Sequence, residues 1–371
     1  PVMMVSQGNG FIYQADKYSR ENAGQSLKNY TLLKQGEFAY NHGASKAKPY
    51  GVAYCLTEES EARVPFVYHT FRIADGVNPY WHEALNTSKM DRQLKRMVSS
   101  GARMDGLLNI NYDTYMDVDV NIPCVEEQQK IADFLSSVDE VITASEEEVA
   151  NLEKQKKAVM KKIFSQEVRF KKPDGSDFSK WEDVKVLDML VQPITDGPHE
   201  TPELVEDGVP FVSVEAIENG RVNLNKRRGN ITKEYDELCA KKYKPQLYDV
   251  YMVKSGATTG KMGIVTIEDD FNIWSPLAAM RTASKTEAFF LFFMLQSDLL
   301  QKQVWTKLSL GNQPNLGMRA LEEFNAVRPC LEEQRLIVDF LSDFDEAIAA
   351  AKKELDLWKE LKKGLLQQMF A

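Results

Sequence analysis

"PCVEEQQKIADFLSSVDEVITASEEEVANLEKQKKAVMKKIF" occupies residues 123–164, and "PCLEEQRLIVDFLSDFDEAIAAAKKELDLWKELKKGLLQQMF" occupies residues 329–370. The two align without a gap at an offset of 206, with 18 of 42 positions identical. Self-similarity over that length marks an internal repeat. The 371-residue chain is therefore two copies of one unit, a globular region followed by a helix.

Each copy carries a helix start signal and an apolar seam. Pro123 and Pro329 stand just ahead of an acidic "EEQ", which suits the positive end of a helix dipole. The first seam runs Ile131, Leu135, Val138, Ile142, Ser145, Val149, Leu152, Lys156, Val159, Ile163. Its twin runs Ile337, Leu341, Phe344, Ile348, Ala351, Leu355, Trp358, Lys362, Leu365, Met369. Steps of four and three alternate throughout, which predicts a coiled coil rather than a helix lying on its own domain. Lys156 and Lys362 fall at matching seam positions and are expected to snorkel at the coil end. Helix 1 runs into the second globular region and helix 2 starts where that region ends, so the helices must be antiparallel. A rod of about 40 residues would be about 55–60 Å long, with one globular region at each end.

The globular regions are diverged relatives. "GEFAYNHGASKAKPYGVAY" (36–54) echoes "YDVYMVKSGATTGKMGIVT" (248–266), a β-type run, a small loop with lysine, then a second β-type run. "LNINYDTYMDVDVNIP" (108–123) echoes "PNLGMRALEEFNAVRP" (314–329) at the same offset of 206. The expected fold class is α+β: two mixed α/β domains and an antiparallel two-helix coiled coil, duplicated with pseudo-twofold symmetry. The expected boundaries are 1–122, 123–167, 168–328 and 329–371.

Composition narrows the function classes. Hydrophobic content of 43% and charged content of 27% are ordinary for a globular protein. The longest apolar run, "AFFLFFML" at 288–295, is too short to span a bilayer, so no membrane partner is expected. Cys55, Cys124, Cys239 and Cys330 form no C-x-x-C, and the four histidines are scattered. Neither a disulfide framework nor a metal site is predicted, and a reducing cytoplasm is the expected home. The net charge of −9 argues mildly against nucleic acid. Yet residues 1–122 carry 13 basic and 13 acidic side chains, and "NKRRGN" (225–230) and "KKYK" (241–244) concentrate base locally.

Three stretches imitate catalytic motifs. "YMVKSGATTGKMGIV" (251–265) approaches a P-loop, but Gly256 and Gly260 enclose only three residues and Met262 replaces the magnesium-binding hydroxyl. "NPYW" (78–81) lacks the second proline of an amino-methyltransferase motif and reads as a turn ahead of a helix, with Trp81 packing. Asp196 and His199 in "DGPHETP" read as a local hydrogen-bonded turn, because no third ligand is visible. The chain is expected to be non-enzymatic.

The second unit resembles the specificity (S) subunit of type I restriction–modification systems. The residues that carry the likeness are "ITDGPHETPELVEDGVPFVSVEAIENG" (194–220), "LYDVYMVKSGATTGKMGIV" (247–265) and the two "PC-EEQ---DFLS" helices. The resemblance implies target recognition domains that each read half of a bipartite double-stranded DNA target. It implies helices that set the spacer and dock two methyltransferase (M) subunits, with restriction/translocase (R) subunits joining. S-adenosylmethionine, ATP and Mg are then expected in the partner subunits and no cofactor in this chain. Lys254, Ser255, Thr258, Thr259 and Lys261 become candidate DNA contacts, with Lys226, Arg227 and Arg228 beside them. His42, Ser45, Lys46 and Lys48 are their counterparts in the first domain. Such side chains suit phosphate and groove-edge hydrogen bonds, or a turn with solvated lysines. One departure stands out: the first domain starts near the equivalent of residue 210 and lacks a counterpart of "WEDVKVLDMLVQPITDGPHETP". The competing class is a coiled-coil scaffold whose end domains bind proteins or glycans.

Overall fold

The structure is a computed structural model that describes residues 1–17, 24–43, 45, 48–98, 108–308 and 314–370. It divides into two compact units, Pro1–Glu147 with Lys352–Ala371, and Glu148–Ala351.

In unit 1 the strand Phe38–Asn41 lies between Val52–Cys55 and His69–Phe71, antiparallel to both. Two further antiparallel pairs join Met3–Ser6 to Gly10–Tyr13 and Thr31–Lys34 to Glu61–Val64. Helices Asn78–Ala84, Ser88–Met97 and Tyr112–Met116 close the other side. The last two have N-caps, Thr87 accepting from the Met90 amide and Asn111 from the Thr114 amide. Phe38, Tyr40, Trp81, Leu94 and Tyr115 form one core with Leu135 and Phe370 from the two long helices. Trp81 is buried, as the sequence predicts, but "NPYW" is the first turn of a short helix rather than a turn ahead of one, with Pro79 tolerated there because its missing amide is not needed.

Unit 2 repeats the motif inside a larger sheet. The strand Val250–Val253 lies between Met262–Ile264 and Leu277–Met280, antiparallel to both. Short strands extend this sheet to six, with Thr195–Asp196 on the Leu277–Met280 side. A second sheet holds Val209–Val212 antiparallel to Gly229–Ile231 and parallel to Asn272–Ile273. The apolar run at 288–295 lies in the helix Lys285–Gln296 and is buried along its whole length. A helix that is apolar all round belongs inside a core. Among the described residues no helix is long and apolar enough to cross a membrane.

The echo between 36–54 and 248–266 is thus two antiparallel hairpins, each with a third strand on the far side of its first strand. One element breaks the correspondence. In unit 2 the strand Asn325–Arg328 pairs with Glu182–Lys185. Its twin in unit 1, residues 119–122, forms no strand.

The long helices run Val125–Phe164 and Leu331–Met369. In unit 1 Ile131 and Leu135 share a core with Leu365, Met369 and Phe370; in unit 2 Ile337 and Leu341 share one with Val159, Ile163 and Phe164. The start of each helix meets the end of the other, so the pairing is antiparallel, as the connectivity requires. Ile131, Leu135, Val138, Ile142, Val149 and Leu152 are buried or half-buried, and so are Ile337, Leu341, Phe344, Ile348, Leu355 and Trp358.

The snorkelling expected of the seam lysines is overturned. Lys156 Nζ lies 2.5 Å from Asp345 Oδ1 and 4.9 Å above the Phe293 ring. Lys362 Nζ lies 2.8 Å from Asp139 and 3.1 Å from Glu83. Asp139 and Asp345 are themselves twins at the offset of 206, so one ion pair occurs twice. Both lysines turn inward because a carboxylate waits on the opposite helix. Burial would lower the Lys362 pKa, but Glu83 and Asp139 more than reverse this and raise it.

Candidate nucleic-acid interface

The hairpin loop after Val250–Val253 is fixed by its own backbone. The Gly260 amide bonds Val253 O at 2.8 Å, and the Lys261 amide bonds Thr258 O at 3.0 Å. Gly256 (φ +96) and Gly260 (φ +91) sit in the left-handed region that the turn requires. The loop is anchored from behind: the Gly256 amide donates to Pro314 O at 3.0 Å and the Leu316 amide to Lys254 O at 2.7 Å. A rigid tip on two buried strands is therefore presented outward.

Of the five candidates on this loop, the structure exposes Thr258 and Lys261 and half-exposes Ser255. Lys254 and Thr259 are corrections, since each is only 9% exposed. Thr259 Oγ1 donates to Gly256 O at 2.7 Å, which closes the turn. Lys254 reaches inward to Asp196 Oδ2 at 3.2 Å. Asp196 sits on the edge strand Thr195–Asp196 with a fully buried side chain. Lys242 meets its other oxygen, and His199 Nε2 lies 3.1 Å from Oδ2. The contacts of Lys254 and His199 at Oδ2 fall short of hydrogen-bond geometry. Burial would raise the Asp196 pKa, but Lys242 and Lys254 overcome this and hold it below the usual carboxylate range. The hydrogen-bonded turn expected of Asp196 and His199 is thus a correction: Asp196 ends a short strand, and the pair belongs to a larger ionic cluster beside a cavity of about 350 Å³.

The second basic segment comes close to this tip. Lys226 Nζ pairs with Glu218 Oε1. The Lys226 and Asn223 hydrogen bonds lower the Glu218 pKa, with a further contribution from the Lys261 charge. Lys226 pairs with this carboxylate, and the charge of Lys261, from a separate segment, acts on it from the same neighbourhood. Arg227 binds Asn230 Oδ1 at 2.7 Å, and the exposed Arg228 lies 4.0 Å above the Trp274 ring. In "KKYK", Lys242 serves Asp196, and Lys244 pairs with Asp236 and Asp270, each at 2.7 Å. Much of the base that stands out in the sequence is internally neutralised.

Unit 1 has the equivalent hairpin, with loop residues 42–51. His42 is a correction: it is 4% exposed, with Nδ1 3.0 Å from Leu108 O and Nε2 2.9 Å from Val67 O. Both ring nitrogens are engaged by backbone, so the ring is a strut. Ser45 is exposed and closes a turn by accepting from the Lys48 amide at 3.1 Å. Lys48 is half-buried, and its charge opposes the upward shift that burial gives Asp91. Lys46 lies outside the described residues.

The sequence reading missed a second buried acid that holds unit 2 together. Asp249 is clamped by Arg281 through two 2.7 Å bonds, Nε to Oδ1 and Nη2 to Oδ2, and the Tyr243 hydroxyl donates to it. This bidentate pair raises the Arg281 pKa. No local pattern announces it, because Asp249 and Arg281 are 32 residues apart.

Comparison with known proteins agrees with this architecture. Residues 179–357 match the model of the Type I restriction modification DNA specificity domain. The chain is 25% identical over 284 residues to the Type I restriction enzyme MjaVIII specificity subunit of Methanocaldococcus jannaschii, covering 72% of this chain and 65% of that protein. It is 24% identical over 308 residues to the MjaIX specificity subunit of the same organism, covering 80% of this chain and 69% of that protein. The match to MjaVIII therefore spans less than two thirds of that relative. A chain from a solved structure concerned with complex assembly of the type I R-M system matches with a TM-score of 0.56 at 17% identity, over 92% of this chain and 83% of that one. The type I restriction-modification S subunit from M. genitalium matches with a TM-score of 0.52 at 12% identity, over 91% of this chain and 84% of that one. At these identities the two structures speak for the fold.

Proposed function

We propose, from the premise that this chain belongs to the specificity subunits of type I restriction–modification systems, that each unit reads one half of a bipartite DNA target. The observation that carries the reading is the repeated hairpin core. In unit 2 its anchored tip holds Ser255, Thr258 and Lys261 outward beside Lys226. Lysines there suit phosphate oxygens, and the hydroxyls suit base edges or sugar. In unit 1 the corresponding surface is carried by Ser45 and Lys48.

The chain itself is non-catalytic in this reading. Two methyltransferase subunits dock on the long helices and supply S-adenosylmethionine chemistry, while restriction/translocase subunits use ATP and Mg. The test is methylation mapping in cells carrying the methyltransferase with and without this chain. A split motif methylated only when the chain is present is the expected result. An identical methylation map in both strains overturns the proposal.

A further inference from the structure

Two arginines stand side by side in "NKRRGN" and have different surroundings. Arg227 spends its donors inside the unit, Nε on Asn230 Oδ1 at 2.7 Å and Nη1 on Leu224 O at 3.2 Å. Arg228 is exposed, and among the described residues no hydrogen bond or ion pair engages its guanidinium.

That free head is nonetheless held in place. The Arg228 amide donates to Phe211 O at 3.0 Å, which ties its backbone to a fully buried strand residue. Its Cζ lies 4.0 Å from the centroid of the Trp274 ring. Arg228 immediately precedes Gly229–Ile231 and Trp274 immediately follows Asn272–Ile273, the strands on either side of Val209–Val212. The indole is fixed as well. The Trp274 amide donates to Val212 O at 2.9 Å, and the side chain packs against Val209, Phe211 and Ile231. Its Nε1 is buried without a partner among the described residues, so packing rather than a hydrogen bond of its own sets the ring. Tryptophan offers a cation the best aromatic face. Held from that face, the guanidinium keeps its edge donors free, and part of its rotamer freedom is spent before any ligand arrives.

Resting on the reading of unit 2 as a DNA reader, we infer that Arg228 determines specificity. Braced on Trp274, it donates two parallel hydrogen bonds to O6 and N7 of a guanine in the major groove of the half-site that unit 2 reads. Of the four bases, guanine alone presents two acceptors on that edge; adenine pairs one with a donor, thymine pairs one with a methyl group, and cytosine presents a donor. A fork that only donates therefore selects guanine. Trp274 is a positioning residue, acting through the fork. Lys226 and Lys261 differ from Arg228 in kind, since a point charge on phosphate carries no sequence information.

The test uses the full chain with the proposed methyltransferase partner, first by methylation mapping in cells and then by titrating the purified complex with duplexes. The unaltered chain should give a split motif with a guanine, on either strand, at a fixed position of one half-site. Arg228→Ala and Arg228→Lys should both accept any base pair at that position and leave the other half-site unchanged, because lysine keeps the charge and loses the fork. Replacing that guanine with 7-deazaguanine, which lacks the N7 acceptor, should weaken binding by the unaltered complex by roughly tenfold and leave the Arg228→Lys complex indifferent. Trp274→Leu should reduce the preference for guanine without moving the salt slope, and Trp274→Phe, which keeps a ring, should restore most of it. A split motif without such a guanine, indifference of the unaltered complex to 7-deazaguanine, a guanine preference kept by Arg228→Lys, or equal weakening of all duplexes by Arg228→Ala would each overturn the inference while leaving unit 2 a DNA reader. Full preference in Trp274→Leu would overturn the brace. Absence of any split motif would remove the underlying reading and the inference together.

Discussion

Lys254 and Lys261 belong to one hairpin loop and answer to different physics. Lys261 is exposed and shares the Glu218 neighbourhood with Lys226, so its removal should cost stability no more than about 0.5 kcal/mol. Lys226→Ala with Lys261→Ala should instead weaken DNA association across all sequences. Measured on the complex with the proposed methyltransferase partner, the salt slope should fall by roughly one unit per phosphate-contacting lysine. An unchanged slope would remove both lysines from the interface. Lys254→Ala should act in the opposite way, lowering stability by about 1–3 kcal/mol in urea unfolding, because Asp196 loses a buried partner. Asp196 also sets a pH dependence. Its folded pKa lies below the ordinary carboxylate value, so the cluster's stabilisation is fully present above pH ~4 and is lost as pH falls through the lowered folded value. Asp196→Asn should flatten that acid limb of the stability curve; an unaltered limb would assign it to other carboxylates. The inward turn of Lys254 was not legible in the sequence. Gly, Ser and Thr neighbours announce a loop, but its counter-charge comes from a strand 58 residues earlier. His42 hid for the same reason, since its carbonyl partners belong to residues 67 and 108.

Strands and helices carry the next set of constraints, and here the sequence was more informative. Period and repeat together specified two hairpins and two seamed helices, because alternation and the four–three step are local properties. The unit 1 hairpin depends on Gly51, at φ +82, where an added Cβ would meet Asn41 O at 2.5 Å and the Tyr40 ring at 2.8 Å. Gly51→Ala should destabilise unit 1 by more than about 1 kcal/mol, seen as a lower urea midpoint; an unchanged midpoint would mean the loop relaxes freely. The twin ion pairs across the long helices make a second test. Asp345→Ala leaves Lys156 unpaired in the seam and should cost roughly 1–3 kcal/mol, less than a fully buried pair because Asp345 is 30% exposed. Lys156→Met added to it should recover much of the loss, since an apolar seam tolerates methionine. A double variant as unstable as Asp345→Ala alone would show that the pair contributes little. The signal for this pair was available before the fold: lysine and aspartate recur at matching positions in both copies. Their contact was not, because it needs the antiparallel register.

At the scale of the whole molecule the offset of 206 carries most of the architecture, and the break in the repeat carries the rest. The missing counterpart of residues 181–194 is a gap in the alignment of the two copies; that residues 119–122 form no strand, where Asn325–Arg328 pair with Glu182–Lys185, needed coordinates. If the long helices set the spacing of two DNA readers, their length determines the unread gap in the target. Ser145 and Ala351 lie on the seams close to where the two units divide, at Glu147 and Ala351. Inserting one heptad after each keeps both seams in phase and leaves both hairpins untouched. Seven helical residues add about 10 Å, and B-DNA rises about 3.4 Å per base pair, so the spacer should lengthen by up to about three base pairs. The half-sites should stay the same, because every candidate base contact lies outside the insertions. An oblique path along the DNA would shrink the gain, and half-sites facing one side of the duplex recur about every 10 base pairs, so a phase mismatch would appear as lost methylation rather than a new motif. Insertions of one, two and three heptads, each mapped by methylation with the methyltransferase coexpressed, separate these cases. Spacers that grow with each insertion, or activity that returns when helical phase is restored, support the helices as the ruler. An unchanged spacer with full methylation at every length would show that the distance between readers is fixed elsewhere.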